Sequence, residues 1–103
     1  DLKFILSYHI TIENLSSETV QLLRREWEIF DSNGVIRKVE GEGVIGKQPV
    51  LAPGESHQYA SWSPLTTEMG KMSGVYIFRR DVDNHEFRVD IPDFRLIAPF
   101  KLN

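Results

Sequence analysis

Cysteine is absent from all 103 residues. That excludes disulfides, thiolate zinc sites and cysteine nucleophiles, and it fits a cytoplasmic protein, the location expected here. No apolar run approaches the roughly 20 residues that cross a bilayer as a helix, so no membrane association is expected. Basic excess is missing too: 12 Lys and Arg stand against 15 Asp and Glu, a formal net charge of −3. Such a balance argues against the broad positive footprint of a nucleic-acid binder. The opening Asp1-Leu2-Lys3-Phe4 has neither a signal-peptide pattern nor an initiator Met, so the chain is expected to be a fragment. Asn14-Leu15-Ser16 spells a glycosylation sequon, which would matter only in a secretory setting. Internal repeats, linkers, low-complexity stretches and convincing amphipathic helices are all lacking. Hydrophobic residues do make up 41% of the chain, enough for one core at this length and too little for two.

Alternation dominates what is present. Phe4, Leu6, Tyr8, Ile10 and Ile12 share one parity, and Lys3, Ser7, His9, Thr11 and Glu13 the other. Period two of this kind builds a strand with one buried face. A second strand is expected over Val20–Phe30, with Leu23, Trp27 and Ile29 inward, although Leu22, Leu23, Glu26, Trp27 and Phe30 also fall at helical spacing. Asp31-Ser32-Asn33-Gly34 reads as a hairpin turn whose Asn-Gly pair supplies positive φ, followed by a strand over Val35–Val39. Pro53-Gly54-Glu55 marks a turn and Ser56–Trp62 a strand, after which Pro64, Gly70 and Gly74 suggest a loop. Val75–Arg80 and Glu86–Ile91 pair across the turn Asp81-Val82-Asp83-Asn84, with Phe87, Val89 and Ile91 inward. Phe94–Ile97 forms a last edge strand beyond Pro92. Six or seven short strands with regular turns predict an all-β, two-sheet sandwich, with a small closed barrel as the alternative.

Gly41-Glu42-Gly43-Val44-Ile45-Gly46 spells GxGxxG. A dinucleotide turn needs a helix to begin at that point, because the helix N-terminus holds the pyrophosphate. Here Pro49, Pro53 and Gly54 follow closely, so no such helix can start. The Lys-Ser/Thr ending of a Walker motif is missing as well. Two readings of the glycines remain. One is backbone geometry, through positive φ and close approach between strands. The other is an anion or partner site made from loop N–H groups, carried by Gly41, Gly43, Gly46, Lys47 and Gln48 with Arg37 or Lys38 nearby.

Little else offers chemistry. His9, His57 and His85 lack metal-motif spacing. Asp81, Asp83, Asn84 and Glu86 could face a hard cation but fall short of a calcium loop, as does the Asp31 turn. No serine sits in a nucleophile elbow, and Glu40 and Glu42 read as a solvated loop. Trp27, Tyr59, Trp62, Tyr76 and Phe78 read as core or sheet-surface aromatics, with only Arg79 and Arg80 interleaved as a stacking platform would need. No catalytic residue, metal ligand or cofactor is therefore expected, and the chain is expected not to be an enzyme.

The run from Gly41 to Glu55 resembles the signature of the ApaG family. Leu23-Arg24-Arg25-Glu26-Trp27-Glu28-Ile29 is similar to its Arg-x-Trp strand, and Tyr59-Ala60-Ser61 with Pro64-Leu65-Thr66-Thr67 to its next block. Gly70-Lys71-Met72-Ser73-Gly74-Val75-Tyr76 and the ending Ile91-Pro92-Asp93-Phe94-Arg95-Leu96 complete the set in order. The resemblance implies one domain over 1–103 with an immunoglobulin- or fibronectin-III-like sandwich. It also implies a link to cobalt resistance and magnesium efflux in bacteria. Eukaryotic relatives carry the domain in an F-box protein and a polymerase-interacting protein, which implies protein binding, and no enzymatic activity is implied. Genetic neighbourhood with a dinucleoside tetraphosphate hydrolase suggests instead a phosphate ligand, pyrophosphate or nucleotide, at Gly41–Gly46. Family members carry further residues and a first strand ahead of the point matching Phe4. Their absence here would expose a sheet edge and favour pairing with another chain, including a homodimer. Trp62 stands where a small residue is common, so an exposed aromatic is expected near Pro64.

Overall fold

The computed structural model describes residues 4–97. Seven strands run in order: β1 (Phe4–Glu13), β2 (Val20–Asp31), β3 (Ile36–Glu42), β4 (Val50–Leu51), β5 (Ser56–Leu65), β6 (Met69–Arg80) and β7 (Glu86–Ile97). There is no helix among the described residues. β1 and β5 form a two-stranded antiparallel sheet; β3-β2-β6-β7 form the larger one, with β4 also paired to β2. The inner faces share one core. Phe4, Leu6, Tyr59 and Leu65 come from the smaller sheet, and Leu22, Trp27, Ile29, Met72, Tyr76, Phe78 and Leu96 from the larger. Two open sheets packed this way make a sandwich rather than a closed barrel.

β1 follows its alternation, with Phe4 and Leu6 buried and Tyr8, Ile10 and Ile12 packed against the core. β2 is a strand throughout, but its inward set differs from the simple parity. A register shift against β6 between Leu22 and Arg24 puts Val20 and Leu22 inside on one side of the bulge, and Trp27 and Ile29 on the other. Leu23, expected inward, is the bulged residue, and its carbonyl accepts N–H groups from Gly43 and Gln48. A bulge inverts facing because the side-chain period of a strand is two. Pro92 works in the same way on the edge strand β7. Pairing jumps from Gly74↔Ile91 to Met72↔Phe94, so β7 continues through the proline, and Phe94 and Leu96 pack inward beyond it.

Two further expectations are corrected. Gly70 and Gly74 lie inside β6, not in a loop. A Cβ on Gly74 would stand 2.3 Å from the Glu26 carbonyl oxygen and 2.8 Å from Cε3 of Trp27, so the glycine is there to let two strands and an indole close up. In the Asp31–Gly34 turn only Gly34 takes positive φ, at 90°. The Asp31 N–H donates to Val35 O and the Gly34 N–H to Asp31 O, so this is a glycine-bulge turn and not the mirror-image two-residue type. The sequon at Asn14 is closed from within: Asn14 is buried, and its Nδ2 donates to Glu18 O at 2.8 Å and Leu51 O at 2.9 Å.

Candidate functional site

β3 and β4 lie in line along the same edge of β2, pairing with Arg24–Phe30 and with Val20–Gln21. The glycine loop is the detour between them. The Val44 N–H donates to Lys47 O at 2.7 Å and the Lys47 N–H to Val44 O at 3.0 Å, with φ of 48° at Ile45 and 72° at Gly46. This is a tight turn of the mirror-image type, and a β-branched residue at its first central position is strained. Gly43 has a φ of 59°, and a Cβ there would stand 1.9 Å from Lys47 O. Val44 is fully buried in the core while Ile45 is 56% exposed, so the loop is pinned by one side chain and displays the next.

The candidate loop residues therefore have definite places. Gly41 lies under the Arg25 guanidinium, whose nitrogens come within 3.0 Å of where a Cβ would be. Gly43 permits the close approach and donates its N–H to Leu23 O at 2.8 Å. Gly46 sits in the turn with open space around it, and the Lys47 side chain is exposed. Gln48 donates from Nε2 to Leu23 O at 2.8 Å. Arg25 Nη1 donates to Glu42 O at 3.1 Å and Gly43 O at 2.7 Å. The loop thus presents carbonyls to an arginine, while the N–H groups of Gly43, Val44 and Lys47 go to backbone oxygens. A phosphate cradle requires the opposite polarity.

Beside the loop a cavity of about 280 Å³ opens between β3 and β5. Its polar lining includes Arg25, Arg37, Tyr59 and Ser61, and Val39, Ile45 and Trp62 stand exposed among its lining residues, Trp62 at 61%. Arg37 reaches from β3 across the gap, donating from Nη2 to Pro64 O and, at 3.4 Å, to Ser63 Oγ. It joins the two sheets at their open side. Lys38, its neighbour, instead faces Glu28 at 3.7 Å. The exposed aromatic expected at Trp62 is present. Arg25 was visible in the sequence as the arginine of Arg25-Glu26-Trp27 but was not singled out as a site residue; its shared parity with Trp27 and Ile29 was the available signal, because an arginine on an inward-facing register needs a reason to be there.

Deeper in, the hydroxyls of Tyr59 and Tyr76 hydrogen-bond each other, tying β5 to β6 through the core. Burial pushes the Tyr59 hydroxyl up to about 12, against the opposing pull of the Tyr76 hydrogen bond and the Arg25 charge. Burial pushes Tyr76 up as well, reinforced by its bond to Tyr59. The neutral hydroxyl is thus the form favoured by folding. An unfolded tyrosine begins to ionise near 10 while Tyr59 in the fold holds its proton, so this contribution is complete below 10 and is lost as pH rises through about 12. Urea midpoints measured across that window are expected to fall more steeply for the unmodified chain than for Tyr59→Phe. Parallel curves would show that Tyr59 is not the group responsible.

His9, His57 and His85 stay apart, and among the described residues no three His, Asp or Glu side chains gather at a point. At the acidic turn, the Asp83 carboxylate accepts the His85 N–H at 3.0 Å and an Arg80 N–H at 2.9 Å, and the His85 bond above all holds its pKa below the usual range.

The family model of the ApaG domain matches residues 1–80. Protein ApaG of Brucella abortus (strain S19) is 50% identical over 97 residues, spanning 94% of this chain and 74% of that protein. Protein ApaG of Enterobacter sp. (strain 638) is 48% identical over 99 residues, 96% of this chain and 78% of that one. The crystal structure of the ApaA protein from Bordetella pertussis is similar at a TM-score of 0.89 and 37% identity, covering 94% of this chain and 78% of that one.

Proposed function

Because this chain belongs to the ApaG domain family, we propose that it is a protein-binding module without a reaction of its own, and that it binds through the rim of the cavity between β3 and β5. The observation that carries this reading is the cluster of Val39, Ile45 and Trp62, each exposed, around one concave site. Exposed apolar side chains grouped about a pocket are the usual mark of a docking surface, whereas scattered ones are not. Ile45 is held outward on a strained turn by Val44 beneath it, which gives the rim a rigid shape before any partner arrives. In this reading the link to cobalt resistance and magnesium efflux runs through a cytoplasmic partner, and the chain itself holds no metal. A pyrophosphate or nucleotide at Gly41–Gly46 has less support, because the N–H groups of Gly43, Val44 and Lys47 already serve backbone oxygens.

The test is affinity capture from bacterial extract with the unmodified chain and with Ile45→Ser/Trp62→Ser. Exposed substitutions of this kind shift stability by about 0.5 kcal/mol or less, so the variant is expected to melt as the parent does. A specific partner retained by the parent and lost by the variant is the expected result. Failure to retain one, or equal retention by both, would show that the rim is not a docking surface.

A further inference from the structure

We propose that the cavity between β3 and β5 receives the carboxylate of an acidic side chain in an extended, otherwise apolar segment of the partner, held by Arg25 and Arg37. The proposal rests on the protein-binding reading and adds the chemistry of what is bound.

Charge points in this direction first. None of the residues lining the cavity is acidic, yet two are arginines. The ion pairs among the described residues use Arg24, Lys38, Lys71 and Arg80, and neither cavity arginine. In a chain whose carboxylates outnumber its cations, 15 to 12, that is a local surplus of positive charge at one concave place. Both guanidinium groups make do with neutral oxygens, those of Glu42 and Gly43 for Arg25 and of Pro64 and Ser63 for Arg37. Each keeps further donors, and a guanidinium fork matches a carboxylate better than it matches a single carbonyl.

Unpartnered donors give a second, independent observation. Nε of Arg37 and Nε1 of Trp27 are enclosed without an acceptor, and both residues line this cavity. Trp27 is only 2% exposed. Buried N–H groups are nearly always satisfied, so two orphans at one cavity mark a place where an acceptor belongs. An acceptor reaches Nε of Arg37 when the Arg37 side chain swings off Pro64 O; the arginine then exchanges a backbone carbonyl for the incoming carboxylate. Entry and binding become one event, gated by the residue that bridges the sheets.

The rim decides between a peptide and a free anion. Val39, Ile45 and Trp62 would remain uncovered around a lone inorganic ion, whereas apolar neighbours of an acidic residue would cover them. Ile45 and Trp62 flank the opening from different elements, so alternate residues of an extended segment could meet them while the acidic one points inward.

Panning phage-displayed random dodecapeptides on the whole chain tests this without presupposing a sequence. Enriched peptides are expected to carry Asp or Glu between apolar residues. A synthetic copy of the best one is expected to bind at least about tenfold more tightly than its Glu→Gln or Asp→Asn counterpart. With Arg37→Gln, which leaves the glycine loop untouched, that difference is expected to vanish; Arg37→Lys is expected to retain part of it. Peptides enriched without acidic residues, equal binding of the acidic and amide peptides, or full discrimination by Arg37→Gln would each overturn the carboxylate site while leaving the protein-binding reading standing. An absence of any enriched peptide would overturn it too, and the capture experiment with Ile45→Ser/Trp62→Ser judges the broader reading separately.

Discussion

Gly43→Ala is expected to destabilise the fold by about 2–4 kcal/mol, combining a left-handed backbone penalty of roughly 1–2 kcal/mol with partial loss of a buried valine worth roughly 1.5–3 kcal/mol. The new methyl would stand 1.9 Å from the Lys47 carbonyl oxygen and 2.6 Å from its carbon, both backbone atoms that cannot turn aside. Relief requires the turn to open, which breaks the paired bonds between Val44 and Lys47 and pulls on the Gly43 bond to Leu23 O. Val44, fully buried one residue later, is drawn from the core with it. Gly46→Ala is the control. Its φ of 72° is also left-handed, but nothing lies within 4 Å of the added methyl. Its expected cost is the conformational penalty alone, about 1–2 kcal/mol. Urea unfolding of both variants separates the two effects, and equal losses would show that the close approach at Gly43 is unimportant.

Trp27→Ala is expected to lose about 3–5 kcal/mol, the range for removing a large buried aromatic. The indole meets Tyr8 of β1 at a centroid distance of 6.2 Å, Tyr76 of β6 at 5.9 Å and Phe94 of β7 at 5.9 Å, so it contacts both sheets. Its steep interplanar angles to Tyr76 and Phe94, 79° and 87°, are the edge-to-face arrangement that adds to simple burial. Gly74 is shaped around it, so the cavity left by truncation is bounded by backbone that cannot collapse inward. Denaturant unfolding and the near-ultraviolet circular dichroism of the aromatic cluster both report on this. A loss below about 1.5 kcal/mol would mean that the sheets are joined mainly elsewhere.

The sequence disclosed the strands wherever one face meets the core and the pairing is regular. β1 is the clearest case, since Phe4, Leu6, Tyr8, Ile10 and Ile12 all keep one parity and only Ile5, which is exposed, is apolar on the other. Facing failed at Leu23, because a bulge depends on the partner strand's register and not on the residue itself. Pro92 suggested a break for the same reason, although an edge strand with a bulge accommodates a missing N–H. Gly70 and Gly74 suggested a loop because glycine most often serves a turn; here it serves contact between neighbouring strands. At the site, the prolines after Gly46 were enough to remove a dinucleotide turn. The cavity was not legible, since Arg25 and Arg37 come from different strands and Trp62 from the other sheet. Only the pairing of β3 with β2, and the packing of β5 across from them, brings the three together.

The side turn between β3 and β4 has a consequence for self-association. The outer edge of the larger sheet on that side is divided into a seven-residue piece and a two-residue piece. A strand from another copy growing along this edge would run out of template at Glu42 and meet the projecting Ile45 turn. Cross-β stacking needs an unbroken ladder of free backbone groups, and an interrupted edge withholds it. The same glycines that fold Val44 into the core therefore act as a stop against fibril growth on this flank, and variants that straighten the detour are the ones in which aggregation would be expected first.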